Sequence, residues 1–130
     1  MKVRVACTVS LSCLLAASAF AKVPPEEAYQ LHCSGCHGPD GAGRGDFVPS
    51  LRELAELLGS PGGRAYLARV PGVAQAPLES AALAELLNWV LRELSDGRDF
   101  APYAAHELET WRRNPLRDPA AARSALGHGP

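Results

Sequence analysis

Tyr29-Gln30-Leu31-His32-Cys33-Ser34-Gly35-Cys36-His37-Gly38-Pro39-Asp40-Gly41 is the stretch on which the reading of this chain turns. Two cysteines stand three residues apart, and a histidine follows the second at once. Upstream, Pro24-Pro25-Glu26-Glu27 has the marks of a helix start. Proline fits the first turn, and acidic side chains there favour the positive end of the helix dipole. Tyr29 and Cys33 are four apart and share a face of that helix. Downstream, residues 37–47 form a glycine-rich loop with Gly38, Gly41, Gly43 and Gly45. The cysteine pair therefore lies between a helix and a loop, with no strand-like alternation on either side.

The rest of the chain also reads as helix broken by glycine and proline. Leu51, Leu54, Leu57 and Leu58 make one apolar stripe, so residues 51–58 are expected to form a short helix. Residues 59–63, Gly-Ser-Pro-Gly-Gly, end it. Another short helix is expected over 64–70, broken by Pro71-Gly72. The clearest pattern is Leu83, Leu86, Leu87, Val90, Leu91 and Leu94, which predicts a helix over 80–94. Trp89 sits at the edge of that stripe. Ser95-Asp96-Gly97 closes it with glycine in the capping position. A tail follows. Residues 103–114 are expected to be helical, with Ala104, Leu108 and Trp111 inward, and 118–126 to add a further turn or two. Residues 127–130 are expected to be disordered. The fold class is all-α.

The chain has 130 residues, which suggests one folded domain. Residues 1–21 are expected to be a leader cleaved on export. Lys2 and Arg4 form its positive start, an apolar run from Val5 to about Ala17 follows, and Ala19-Phe20-Ala21 gives the small-x-small cleavage pattern. The apolar run is shorter than the roughly 20 residues that span a bilayer. Cys7 and Cys13 leave with the leader, so the exported chain keeps only Cys33 and Cys36 and has no disulfide framework. Its formal net charge of −1 becomes more acidic once Lys2 and Arg4 are lost. No basic stripe suits a nucleic acid. A chain this small has a thin core, which a large apolar cofactor could complete.

Cys-x-x-Cys-His has a specific chemistry. Each thiol can add to a vinyl group of haem to form a thioether. Spacing of three on a helical turn lines both sulfurs along one porphyrin edge, and the next residue supplies an imidazole to the iron. Two rival readings use the same residues. A thioredoxin-like dithiol needs a strand before it within a βαβ unit. A zinc site needs two further ligands, and His32, His106 and His128 make no motif with the cysteines. One covalent haem c, bound by Cys33 and Cys36 with His37 as axial iron ligand, is the expectation.

With these residues in view, the chain resembles the single-haem class I cytochromes c of bacteria. Residues 29–41 are similar to that family's first helix and attachment loop. The resemblance extends over about 24–94 and implies a helical cytochrome c fold around one haem, with residues 22–97 as the domain and 98–130 as a partly helical extension. It implies that Pro49, twelve residues after His37, offers its carbonyl to the second imidazole nitrogen. It implies that residues 78–90 are the last core helix and that Tyr29 and Trp89 meet where the first and last helices cross. Tyr29 and Trp89 read equally as plain core. Arg64, Tyr66 and Arg69 are candidates for the haem propionates, although a solvated polar face accounts for the arginines as well.

One family feature is missing. The usual second axial ligand is a methionine shortly before the last core helix, but Val70-Pro71-Gly72-Val73-Ala74-Gln75-Ala76-Pro77 has none. Met1 is the chain's single methionine. Four substitutes can be named. His106 has the right chemistry but belongs to the outward side of its helix. His128 lies in a glycine-rich end, His32 belongs to the proximal side, and Gln75 is well placed but ligates iron poorly. The remaining state, five-coordinate or water-bound iron, is slightly favoured. The function expected is single-electron transfer in the periplasm, with a dehydrogenase or oxidase as redox partner. The alternatives are a five-coordinate haem protein that binds a small gas, and a haem accessory subunit. Catalysis on peroxide or nitrogen oxides needs a distal acid, base or cation, and the presumed distal loop offers only Val73, Ala74 and Gln75.

Overall fold

A computed structural model describes residues 22–45, 47–96 and 100–128. The expected leader, residues 1–21, lies outside the described residues, as do the cap Gly97 and the last two residues. Eight helices follow one another among the described residues: α1 Pro25–His32, α2 Ser34–His37, α3 Leu54–Gly59, α4 Gly63–Arg69, α5 Pro71–Ala74, α6 Ser80–Glu93, α7 Ala105–Trp111 and α8 Pro119–Ala125. The only β-type pairing among them is an isolated bridge between Arg44 and Val48. The chain is all-α, as its periodicity predicts.

The helix ends follow local chemistry. Pro25 opens α1 with Glu26 and Glu27 in its first turn. Pro71 differs from expectation: it starts a helix, where the sequence reading made it only a breaker. A proline at the first helical position lacks an N–H that would have had no partner there. Val70, which precedes it, is extended at ψ 140° and caps both α4 and α5. Asp118 caps α8 by accepting the Ala121 N–H at 2.9 Å. At the start of α7 the Glu107 carboxylate accepts the Ala104 N–H at 2.9 Å.

The core is built around α6. Leu83, Leu86, Leu87, Val90 and Leu91 are buried on it, each stabilising the fold by roughly 1.5–3 kcal/mol relative to exposure. α1 packs on one flank of α6 and α7 on another. Across the first contact Tyr29 and Trp89 lie with ring centroids 5.5 Å apart in a tilted arrangement. Across the second, Leu108 is fully enclosed, and Asn88 brackets the backbone of Tyr103. The Asn88 side chain accepts the Tyr103 N–H at 2.7 Å and donates to its carbonyl at 3.0 Å. The tail is thus part of the packed body. Gly127 and His128, expected to be disordered, bond back to Ser124 and Arg123 through their amides. The His128 Nε2 is buried without a hydrogen-bond partner.

Candidate functional site

α1 ends at His32, Cys33 forms the corner, and α2 begins at Ser34. The Cys33 and His37 amides carry the chain through this corner, donating to Tyr29 O at 2.9 Å and Cys33 O at 3.0 Å respectively. Both cysteines are free thiols; Cys33 is half-buried and Cys36 exposed. Ser34 donates to Gln30 O at 2.9 Å, tying the two helices together. Behind them Tyr29, fully buried, donates its hydroxyl to Gly38 O at 2.6 Å. One turn of chain therefore presents two thiols and an imidazole on a base anchored to the core.

The imidazole is oriented by the loop that follows. Nδ1 of His37 lies 3.1 Å from the Pro49 carbonyl oxygen. A carbonyl only accepts, so the proton sits on Nδ1 and the lone pair is left on Nε2. Burial holds the His37 pKa below the ordinary imidazole value, against a smaller opposite effect of that carbonyl. The ring is therefore neutral near pH 7 and able to ligate a metal. The return of the chain to Pro49 depends on Gly43. Its φ is +77°, and its amide donates to His37 O at 2.8 Å. A Cβ there would stand 2.9 Å from both C and O of Pro49. Arg44 adds a bond to Gly35 O at 3.1 Å.

This donor set fits haem attachment and fits the rivals poorly. A redox dithiol relies on a depressed thiol pKa, whereas burial, and then the neighbouring Cys36, push the Cys33 thiol up. Among the described residues no three His, Cys, Asp or Glu side chains gather into a site for a bare metal ion.

The other sequence-predicted residues are placed as follows. His106 is exposed on α7, because Leu108 takes the inward position of that helix. His32 and Gln75 are also exposed. The propionate candidates Arg64, Tyr66 and Arg69 are engaged elsewhere, all with the tail. Arg64 donates to Ala101 O at 2.5 Å, pairs with Glu107 at 3.0 Å and lies over the Tyr103 ring at 4.2 Å. Tyr66 donates to Pro119 O at 3.2 Å and Arg69 to Asn114 O at 2.8 Å. The sequence reading missed Arg112. Its guanidinium spans the loop before α6, donating to Ala74 O at 3.1 Å, Ala76 O at 2.6 Å and Leu78 O at 2.7 Å. Nothing in the local pattern marks it, since a charged residue near a helix end is ordinary.

No helix among the described residues is long and apolar enough to cross a membrane. No curated protein matches the chain. The model of the family described as cytochrome c matches residues 26–91, which run from α1 through most of α6. That span takes in Cys33, Cys36, His37 and Pro49 and stops short of the tail. With half of its length so matched, on a helical fold that presents two thiols and a neutral imidazole together, the chain belongs to the cytochrome c family, whose members bind haem c covalently and carry electrons.

Proposed function

We propose that this chain is a periplasmic cytochrome that carries one electron at a time on a single haem c. Cys33 and Cys36 form the two thioethers, and His37 Nε2 is the axial ligand. The Pro49 carbonyl fixes the imidazole tautomer and raises its basicity as a ligand. The observation that carries the reading is the His37–Pro49 contact beside two free thiols. When bound, the haem supplies the Fe(III)/Fe(II) couple. The protein would hold the iron through His37, and it presents the Cys36 side to solvent, where a periplasmic dehydrogenase or oxidase could exchange electrons. The presumed distal loop offers only Val73, Ala74 and Gln75, none of them an acid or base for bond-making chemistry, which supports the role of an electron carrier. The apolar leader supports export to the periplasm.

A second reading is favoured by the absence of methionine from residues 22–130 and by the exposure of His106. Here the iron is five-coordinate or water-bound and takes up a small gas. An accessory haem subunit is a variant of the first reading. For His106 to serve as second axial ligand, it would have to leave its solvent-facing position on α7.

The decisive experiment is the optical spectrum of the purified protein, oxidised and reduced, with and without CO. One haem per chain and a reversible couple support the carrier. A high-spin spectrum that shifts with CO raises the second reading to equal standing. Protein exported with its leader removed but carrying no covalent haem would sink both.

A further inference from the structure

We propose that residues 112–126 form a brace over the distal loop and α4, and that Arg112 is the positioning residue that controls access to the sixth coordination position of the iron. The proposal rests on the haem reading, because the family resemblance makes residues 70–77 the loop that usually supplies the second axial ligand. The brace itself rests on geometry. From Arg112 onward the chain runs antiparallel to α4. Arg112 meets the carbonyls of Ala74, Ala76 and Leu78. The Leu116 amide donates to Arg69 O at 2.8 Å, and Arg69 Nε returns a bond to Asn114 O. Pro119 O accepts from Tyr66, and Leu126 reaches Gly62 at the start of α4.

The loop depends on this contact for its shape. Its amides are satisfied locally: Ala74 N bonds to Val70 O, Gln75 N to Pro71 O and Ala76 N to Val73 O. Three of its carbonyls converge on one half-buried guanidinium. A planar fork with five donors can bridge three oxygens on successive turns of backbone, which an ammonium cannot do in the same plane. Each of these bonds is charge-assisted and stronger than a neutral one. With the carbonyls turned toward Arg112, the loop has one defined outline. A ligand entering from this side must wait for the loop to open.

The test uses the intact haem-loaded protein and two readouts: hydrogen exchange of the Ala74, Gln75, Ala76 and Leu78 amides, and the rate at which imidazole binds ferric iron. Loss of the clamp in Arg112→Ala should speed exchange by about tenfold or more. If the same opening admits the ligand, imidazole association should rise by the same factor, since it scales with the open population. Arg112→Lys should fall between the two and provides a folded alternative if the alanine variant is unstable. Tyr66→Phe removes a brace contact remote from the loop and should change neither readout. Unchanged exchange in both Arg112 variants would overturn the clamp. Faster exchange with an unchanged imidazole rate would overturn the control of access. Equal effects from Tyr66→Phe would show general loosening and overturn the special role of Arg112. A purified protein lacking haem would remove the access role with the haem reading, while exchange in that protein would still decide the clamp.

Discussion

Leu108→Ala tests whether the C-terminal segment is a structural part of the haem domain. Leu108 is 0 % exposed, on a helix packed against both α4 and α6. Removing a buried leucine side chain to alanine costs about 2–5 kcal/mol, depending on how far the surroundings collapse. Here collapse is restricted from several sides. Asn88 pins Tyr103, Arg64 pins Glu107 and Arg112 pins the following turn. The loss should therefore be in the upper part of that range, about 3–4 kcal/mol. For a domain of this size each kcal/mol moves Tm by about 4 °C or more, so the drop should exceed about 10 °C. The assay is thermal unfolding followed by far-ultraviolet circular dichroism and by haem absorbance together. Glu109→Ala, on the exposed face of the same helix, should stay within about 0.5 kcal/mol of wild type. A Leu108→Ala protein that melts within about 3 °C of wild type would refute the packing argument, and the tail would then be an appendage.

Further outcomes follow from the same structure. Gly43→Ala should impair assembly of the His37–Pro49 contact, since it combines φ +77° with a collision against the Pro49 backbone; lower yield of haem-loaded protein and a perturbed ferric spectrum would show it. Tyr29→Phe keeps the contact with Trp89 but loses the bond to Gly38 O, so chemical denaturation should reveal a loss of about 1 kcal/mol. Glu107 has its pKa lowered by the Ala104 N–H, against the effect of burial, and by Arg64. A carboxylate with a depressed folded-state pKa stabilises above its unfolded value and loses that contribution as pH falls through the folded-state value. Melting curves of Glu107→Gln should therefore lie below wild type at pH 7 and converge with it in acid, below the ordinary value of 4.5; a gap independent of pH would contradict this.

Much of the fold is legible in the sequence. The 3.6-residue recurrence of leucine in α6 and the proline and acidic side chains opening α1 act within one turn of chain, so local sequence reveals them. Helix ends differ by a few residues: α3 begins at Leu54 where the leucine stripe predicts a helix from Leu51, and Leu51 is instead tied to the attachment loop by its amide, which donates to Gly41 O. Pro71 reads as a breaker in the sequence because the same residue can end one helix or open the next, and the conformation of Val70 decides which.

The candidate site divides in the same way. Cys33, Cys36 and His37 fall within one short stretch, and one helical turn is enough to bring them together, so local sequence reveals the proposed haem attachment. It also determined that no methionine is available from residues 22–130. What Arg64, Tyr66, Arg69 and Arg112 do was decided only by tertiary structure. Their partners lie 34 to 53 residues away in the chain, and a long polar side chain carries no local mark of which distant carbonyl it will meet. A solvated polar face and a brace look alike in sequence, because the difference between them is the position of the backbone they touch.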